Sequence, residues 1–306
     1  RSTLDRSSAA SDVYKRLRYM AFNTREGKFP TDNKAFRQAV SCIVDKDYII
    51  ESILAGAVIN MDGVMPPALT SWVSPVQGVL AECNSMNFEE RWNKSVSILQ
   101  DAGWQADDWG SHPGGAERAI APTNLRGPNG EAMPSDMLLY APSAGYDPIR
   151  STFSLFIADW MQQLGIDAVA RPTGFSIIVD LILDPETCDE WFMYMLGWGL
   201  TPYPDHVVSF FETDADACAG GLNTPGYSNP EYDALAAEFE AAKTVGEAQV
   251  ISKKMETILF EDLPYLVLFT PPLIEAYRSN VEFPYTEVLG AMSNLYGLPG
   301  SVKVNK

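Results

Sequence analysis

Histidines and long apolar runs are scarce in this sequence. Its 306 residues include two histidines, His112 and His206, which lie far apart. No HExxH, GxSxG or phosphate-loop pattern occurs, which argues against the common motif-bearing hydrolases and nucleotide-binding proteins. No window approaches the roughly 20 consecutive apolar residues of a membrane span, and no apolar stretch of signal-peptide length opens the chain. The sequence therefore predicts either a cytoplasmic protein or a mature fragment of an exported one.

Positive charge is also in short supply. Lys and Arg number 22 against 40 Asp and Glu, which gives a net charge of −18. Such a surface repels phosphate backbones and anionic lipid headgroups, so we expect neither nucleic-acid binding nor polybasic membrane attachment. The apolar content of 46% is enough for a substantial core, and the length predicts two lobes or one large lobe with extensions.

The cysteines and acidic residues do not form a recognisable metal site. The four cysteines include no CxxC pair and no histidine at zinc-finger spacing. The acidic run ETDADAC, residues 212–218, lacks the glycine and the final glutamate of a calcium loop. We therefore expect neither a metal nor another cofactor. Composition alone leaves two alternatives for the cysteines, namely buried thiols or two disulfides formed in an oxidising compartment.

Two helices and a long loop are predicted in the first half of the chain. The first helix, NKAFRQAVSCIVDKDYIIESILAG, follows a cap at Thr31-Asp32 and ends at Gly56. The second, NFEERWNKSVSILQDAGW, ends at Gly103. Residues 107–134, which are rich in Gly, Pro and Asn, predict an irregular loop.

Strand and helix patterns alternate in the second half. The strands DMLLYA, IDAVA and WFMYMLG are separated by the helical patterns DPIRSTFSLFIADWMQQLG and GFSIIVDLIL. Two further helices, at about residues 230–242 and 246–261, precede PYLVLF and EAYRSNV. This alternation predicts an α/β fold with a substantially parallel sheet.

Trp198 is the strongest single candidate for a binding residue. It follows the apolar run of a predicted strand and has a glycine on each side, Gly197 and Gly199. Ligands of open α/β sheets bind beyond the carboxyl ends of strands, where an indole can stack on a ring and Asp205 can accept hydrogen bonds. Two alternatives remain open: Trp198 closes the core, or Asp205 and His206 form the acid/base pair of a hydrolase.

Six segments, in order along the chain, carry a family resemblance. They are RYMAFNT with AFRQAVSCIVDKDYII, GVMPPALTSW, SVSILQDAGW, MLGWG with the PD that follows, GYSNPEYDAL, and DLPYLVLF. Together they resemble the extracellular solute-binding proteins of family 5, the peptide and nickel type receptors of ABC importers. The resemblance runs from about Tyr19 to the C-terminus.

The resemblance implies a lobe of the periplasmic-binding-protein type II kind, with a mixed sheet flanked by helices. Residues 20–270 would form this lobe, called domain III in the family, residues 1–19 an interlobe segment, and residues 271–306 a return to domain I. Family members are longer, so we expect the chain to be a C-terminal part of a monomeric periplasmic or extracellular protein. Such a protein catalyses nothing and delivers its solute to membrane permease subunits. We expect it to be associated with the membrane either through these subunits or through its missing N-terminal region.

Export would expose the thiols to an oxidising environment. Four cysteines allow three connectivities. We expect Cys188 to pair with Cys218 and Cys42 with Cys83. The first pair would link the strand that carries Trp198 to the loop that follows it.

The resemblance also implies a cleft with Trp198, Thr201 and Asp205 at its base, Gly197 beside them and Asn23 near the crossover between lobes. Peptide receptors of the family hold the peptide amino group with an aspartate at the position of Thr201. Dipeptide receptors hold the carboxylate with an arginine at the position of Ala144. Both charges are absent here, so we expect a neutral or weakly charged solute, such as an oligosaccharide or a longer peptide held by its backbone, and weak dipeptide binding.

Overall fold

A six-stranded mixed sheet forms the centre of the fold. The computed structural model describes residues 16–67, 69–115, 117–200, 203–272, 280–282 and 303–304. The strand order is β2-β6-β1-β5-β3-β4. The strands are β1 Arg16–Phe22, β2 Ile59–Asn60, β3 Met137–Pro142, β4 Ala168–Thr173, β5 Met193–Gly199 and β6 Tyr265–Thr270.

The strand directions make the sheet mixed rather than fully parallel. β1 runs antiparallel to both β5 and β6, whereas β3 runs parallel to its neighbours β4 and β5. Helices flank the sheet, so the α/β fold with a mixed sheet that the resemblance implies is confirmed. The substantially parallel sheet predicted from the alternation holds only for β3, β4 and β5, since the other three pairings are antiparallel. The helices are α1 Lys34–Ile43, α2 Gly78–Cys83, α3 Phe88–Asp101, α4 Pro148–Gln163, α5 Phe175–Leu183, α6 His206–Ser209, α7 Pro230–Ala241 and α8 Val245–Asp262.

Shorter elements complete the description. They are a π-helical turn at Tyr48–Ile53, two 3₁₀ turns at Thr213–Ala215 and Ala217–Ala219, and a small antiparallel pair, β7 Val281–Glu282 with β8 Lys303–Val304. No helix in the described part of the chain is long and apolar enough to cross a membrane.

Side-chain caps determine where several helices begin. Asn87 and Glu90 form a reciprocal capping box at the start of α3, and Thr244 and Glu247 form another at the start of α8. Asp147 caps α4, which has proline at its first position. These starts agree with the helix boundaries that the sequence predicts.

The first helix is shorter than predicted. Its cap is Asn33, whose Oδ1 accepts a hydrogen bond from the Phe36 N–H at 3.1 Å, rather than Thr31-Asp32. The helix also ends at Ile43 instead of continuing to Gly56. The cause is Lys46, whose buried ammonium group donates to the Met61 and Val267 carbonyls and pairs with Asp62. Because these partners lie outside the helix, they draw the chain away from the helical path.

Two other sequence predictions change in position. The strand predicted at IDAVA forms as β4, which begins at Ala168 and extends to Thr173 because it pairs along the whole of β3. Of the predicted strand EAYRSNV, residues 275–279 lie outside the described residues, and Val281 belongs to β7.

The sheet separates two apolar cores. Successive side chains of a strand point to opposite faces. On β1, Leu17 and Tyr19 accordingly pack into one core and Met20 and Phe22 into the other, and all four side chains are fully buried. A central strand buried on both faces gives the sheet little freedom to shift its register.

The structure contains both expected disulfides. Cys42 in α1 pairs with Cys83 at the end of α2, with 5.4 Å between Cα atoms. Cys188, ahead of β5, pairs with Cys218 in a 3₁₀ turn, with 5.5 Å between Cα atoms. The pairings predicted from the sequence are confirmed.

Removing either crosslink should destabilise the protein. The disulfides close loops with sequence separations of 41 and 30 residues. We expect the paired changes Cys42→Ser with Cys83→Ser, or Cys188→Ser with Cys218→Ser, to lower the free energy of unfolding by roughly 3 to 4 kcal/mol in the chain-entropy description. Urea denaturation measures the loss. Peptide mapping without reductant that found four free thiols would contradict the assignment.

Candidate functional site

The indole of Trp198 lies at the carboxyl end of β5, where it is half-buried against other aromatic side chains. Its ring stacks on Phe210, with 4.5 Å between centroids and 24° between planes. Its Nε1–H points to the Tyr265 hydroxyl at 3.5 Å. The parallel strands β3 and β5 end at this same edge of the sheet, where ligands of open α/β sheets bind.

The Tyr265 hydroxyl next to Trp198 belongs to a buried network of hydroxyl groups. Tyr19 and Tyr265 stack with 3.8 Å between ring centroids, and the Tyr19 and Tyr194 hydroxyls are 3.3 Å apart. Thr224 Oγ1 hydrogen-bonds to both Tyr194 and Tyr265. Burial raises the pKa of all three tyrosines above the ordinary value, so their hydroxyls stay protonated. The indole therefore packs against a layer of buried, uncharged side chains.

Asp205 is exposed and precedes the short helix α6. Its backbone carbonyl accepts hydrogen bonds from Val208 N at 3.0 Å and Ser209 N at 3.3 Å. The residue also lines a surface groove of about 450 Å³, together with Tyr203 and Glu240. Asp205 is therefore accessible to solvent. Thr201, the other residue predicted beside Trp198, lies outside the described residues.

His206 lies in the core rather than in a cleft. The ring is 3% exposed, and Nε2–H donates to the Val64 carbonyl at 3.1 Å. Burial lowers the pKa of the imidazole to about 4, so the ring is neutral at physiological pH. A buried ring with this contact does not reach a substrate, which removes the observation on which the hydrolase hypothesis depended.

Asn23 lies at the opposite end of β5 from Trp198. Its backbone N–H bonds to the Phe192 carbonyl, so roughly 20 Å of strand separates it from Trp198. The side chain is fully buried, and its Nδ2 donates to the Asp189 and Trp191 carbonyls at 3.2 and 3.0 Å. The structure therefore does not bring Asn23 together with Trp198, and the amide positions the chain ahead of β5.

Gly197 is required by its partner on the neighbouring strand. It pairs with Arg18 of β1, and the arginine side chain lies across it. A Cβ at residue 197 would collide with the guanidinium and would lie 2.5 Å from the Leu17 carbonyl oxygen. The missing side chain thus makes space for Arg18, a residue that sequence analysis did not single out.

Arg18 and Arg150 place two guanidinium groups near the end of the sheet. Arg18 Nη1 donates to the Leu17 carbonyl at 3.2 Å, and Arg150 Nε donates to Asp147 at 2.7 Å. The pKa of Arg18 is lowered to about 10. Burial is the largest cause and repulsion from Arg150 the second, whereas Asp147 partly opposes the shift. The group remains positively charged at neutral pH. The signal in the sequence is the charged pair in RLRYMAF, an otherwise apolar strand.

The sequence model of the bacterial extracellular solute-binding proteins, family 5 Middle, matches residues 3–217. The chain belongs to this family. The resemblance seen in the sequence is confirmed. Heme-binding protein A of Haemophilus influenzae is 23% identical over 288 residues, an alignment that covers 87% of this chain and 42% of that protein.

Solved structures of the family share the fold. The oligopeptide-binding protein AppA of Bacillus subtilis, in complex with a nonapeptide, matches with a TM-score of 0.72 and 19% identity over 97% of this chain and 52% of its own. NikZ of Campylobacter jejuni, in complex with Ni(L-His), matches with a TM-score of 0.66 and 17% identity over 88% of this chain and 48% of its own. This family 5 chain therefore spans about half the length of the relatives it matches.

Two glycines of β5 provide a matched comparison. A Cβ at Gly197 would collide with Arg18 and the Leu17 carbonyl, whereas a Cβ at Gly199 would meet nothing within 4 Å. We expect Gly197→Ala to lower the free energy of unfolding by about 1 to 3 kcal/mol through overpacking, and Gly199→Ala to have little effect. Chemical denaturation measures both. Equal stabilities for the two variants would contradict the close approach of Arg18.

Protonation of His206 should destabilise the fold in acid. The unfolded chain binds a proton near pH 6.5, whereas the folded chain binds it only near pH 4. The free energy of unfolding therefore falls as the pH drops between these values, by up to about 3 kcal/mol from this group. We expect His206→Gln to remove this part of the slope, measured as the difference from the parent protein in urea titrations from pH 7.5 to 4. Identical slopes would contradict the buried, neutral assignment.

Proposed function

We propose that this chain is the solute-capturing part of the binding protein of an ABC importer. It acts in the periplasm or outside the cell and hands its solute to the permease subunits. The observation that carries the proposal is the family 5 match over residues 3–217. Two disulfides are consistent with an oxidising compartment. We further propose that the protein acts as a monomer.

The proposed solute-binding lobe comprises residues 20–270. The six strands of the central sheet lie between Arg16 and Thr270, which supports one continuous unit that begins four residues before this range, which itself starts inside β1. We propose residues 1–19 as the interlobe segment and residues 271–306 as the return to domain I, by resemblance to the family.

The proposed ligand surface is the carboxyl end of β5. Trp198 supplies a flat apolar contact, Asp205 an exposed carboxylate, and Thr201 a hydroxyl. Gly197 precedes Trp198 and leaves room for the Arg18 side chain. Asn23 is left out of this surface because its amide is buried at the other end of the sheet.

A peptide longer than a dipeptide is our first candidate for the solute. The solved relative AppA is an oligopeptide-binding protein in complex with a nonapeptide. A neutral oligosaccharide is the second candidate, because a half-buried indole stacked on Phe210 offers the kind of rigid aromatic face on which sugar rings pack.

Calorimetry on the full-length protein with three ligand pools tests this proposal. We expect micromolar binding of an oligopeptide pool or of neutral oligosaccharides, and at least tenfold weaker binding of a dipeptide pool. Trp198→Ala should weaken binding of the preferred pool at least tenfold because the stacking surface is lost.

Trp109→Ala is the matched control for this experiment. Trp109 is also half-buried but lies in the loop between α3 and β3, where it packs against the other core. The two variants should therefore differ in binding. Unchanged affinity in Trp198→Ala, or the same loss in both variants, would overturn the proposed surface. Turnover of esterase, peptidase or glycosidase substrates that disappeared in His206→Ala would overturn the transport assignment.

A further inference from the structure

We propose that a second cavity, remote from Trp198, binds a small organic cation whose nitrogen carries alkyl groups, such as a quaternary ammonium ion. The rings of Tyr48, Phe88, Phe156 and Trp160 line this cavity, together with three carboxylates. The inference goes beyond the proposed function, because the two sites share no residue.

The cavity is separated from the surface at the carboxyl end of β5. The helix α4 connects the parallel strands β3 and β4, so it runs from their carboxyl ends back towards their amino ends. Trp160 lies twelve residues after Pro148, the first residue of this helix, which is about 18 Å along the helix axis. Trp160 also belongs to the core on one face of the sheet, whereas Trp198 packs against the core on the other. A ligand in one site therefore does not reach the other.

The four rings surround the cavity at an angle to one another. Trp160 lies at the bottom with 6% exposure. Its ring centroid is 5.7 Å from that of Phe88, 5.7 Å from that of Phe156 and 6.4 Å from that of Tyr48, with planes inclined by 37°, 45° and 64°. Tyr48 and Phe156 meet edge to face at 5.9 Å. Rings that meet at such angles enclose a concave space, and the Tyr48 side chain is 46% exposed at its edge.

The size and the aromatic lining of the cavity favour an alkylated cation. Its volume of about 420 Å³ is sufficient for a small organic ligand. The face of an aromatic ring attracts a cation, and alkyl groups on the nitrogen pack against the ring as apolar surface. A bare metal ion needs a shell of oxygen, nitrogen or sulfur ligands instead. The described part of the chain contains no group of side chains that could supply such a shell.

The charged residues of the cavity favour a cation as well. Asp45, Glu117 and Asp159 line it with a single basic residue, Arg118. Arg118 pairs with Asp159. Glu117 is exposed and has no ion pair among the residues that the structure describes. The buried Arg91 acts electrostatically on Asp45, but two further aspartates share its charge. A cation in the cavity therefore meets an excess of negative charge.

Two of the three carboxylates are held in place without a ligand. Asp45 Oδ1 accepts a hydrogen bond from the Tyr48 N–H at 3.0 Å, which also fixes the backbone that carries the Tyr48 ring. Asp159 Oδ2 accepts from Gln163 Nε2 at 3.0 Å, and Gln163 Oε1 in turn accepts from the Ala119 N–H at 3.0 Å. Because these side chains are already ordered, binding costs little further conformational entropy.

Calorimetry with choline on the full-length protein tests the inference. The comparison ligand is 3,3-dimethyl-1-butanol, which has nearly the same shape but no charge. We expect saturable choline binding with a dissociation constant of about 1 mM or tighter, and binding of the alcohol that is weaker by about fivefold or more. Absence of saturable choline binding, or equal binding of the alcohol, would overturn the inference.

Substitutions at the cavity test the two contributions separately. We expect Tyr48→Leu to weaken choline binding by about fivefold or more, because the aromatic face is lost while apolar volume is kept, and Tyr48→Phe to retain the affinity. Glu117→Gln should weaken it by about threefold or more through the lost charge. Unchanged affinity in Tyr48→Leu or in Glu117→Gln would contradict the site.

Matched controls come from outside the cavity. Tyr146 is 59% exposed, and its ring lies 5.1 Å from that of Phe175, so Tyr146→Leu removes a similarly placed ring. Glu238→Gln removes an exposed carboxylate from α7. Each control should change the affinity for choline by less than about twofold. A loss in either control as large as that in its counterpart would reject the assignment to this cavity.

Two further measurements locate the ligand and identify its source. Trp198→Ala should leave choline binding unchanged, and a loss in this variant would move the ligand to the end of β5 and overturn the inference. A protein that binds the oligopeptide pool but not choline would keep the proposed function and reject the second site, whereas the reverse result would keep the second site alone. Flotation with phosphatidylcholine vesicles distinguishes the sources of the ammonium group: binding to the vesicles indicates a lipid headgroup, and binding of free choline alone indicates a soluble cation.

Discussion

The pairing of β1 with β5 and β6 is the contact on which the rest of the structure depends. Residues 16–22 at one end of the described chain pair with residues 193–199 and with residues of β6 that follow after residue 264. Each core includes side chains from β1. Without this strand the sheet would divide into β2 with β6 and β3 with β4 and β5. Since such pairing closes very long loops, the conformational entropy it costs must be offset by the burial of both faces of the strand.

Local patterns explain why much of the fold was predictable. The start of α3 depends on Asn87 and Glu90, which are three residues apart in the sequence. The break after α1 was not predictable, because the partners that bind Lys46 include Val267 on a strand more than 200 residues away. The extent of β4 was likewise fixed by its partner β3 rather than by its own composition. Sequence periodicity identifies an element, whereas distant contacts determine where it ends.

The candidate site was also predictable from local sequence features but not from contacts between distant segments. Trp198 was recognisable because flanking glycines and the end of an apolar run are local features. The position of Arg18 across Gly197 follows from the pairing of the two residues on neighbouring strands, which the sequence alone does not reveal. The surroundings of Asn23 were unpredictable for the same reason, because the carbonyls of Asp189 and Trp191 that bind its buried amide lie on a distant segment.

The placement of the Cys188–Cys218 disulfide has a consequence for how this sequence changes over generations. The crosslink lies ahead of β5, near Asn23 and the ion pair of Arg25 with Asp216, so one end of the strand is held covalently and electrostatically. The end that bears Trp198 has no such crosslink. Mutations at the uncrosslinked end can therefore accumulate without loosening the crosslinked one. A lineage that carries this scaffold can reshape the surface proposed to bind the solute by altering a few side chains around Trp198.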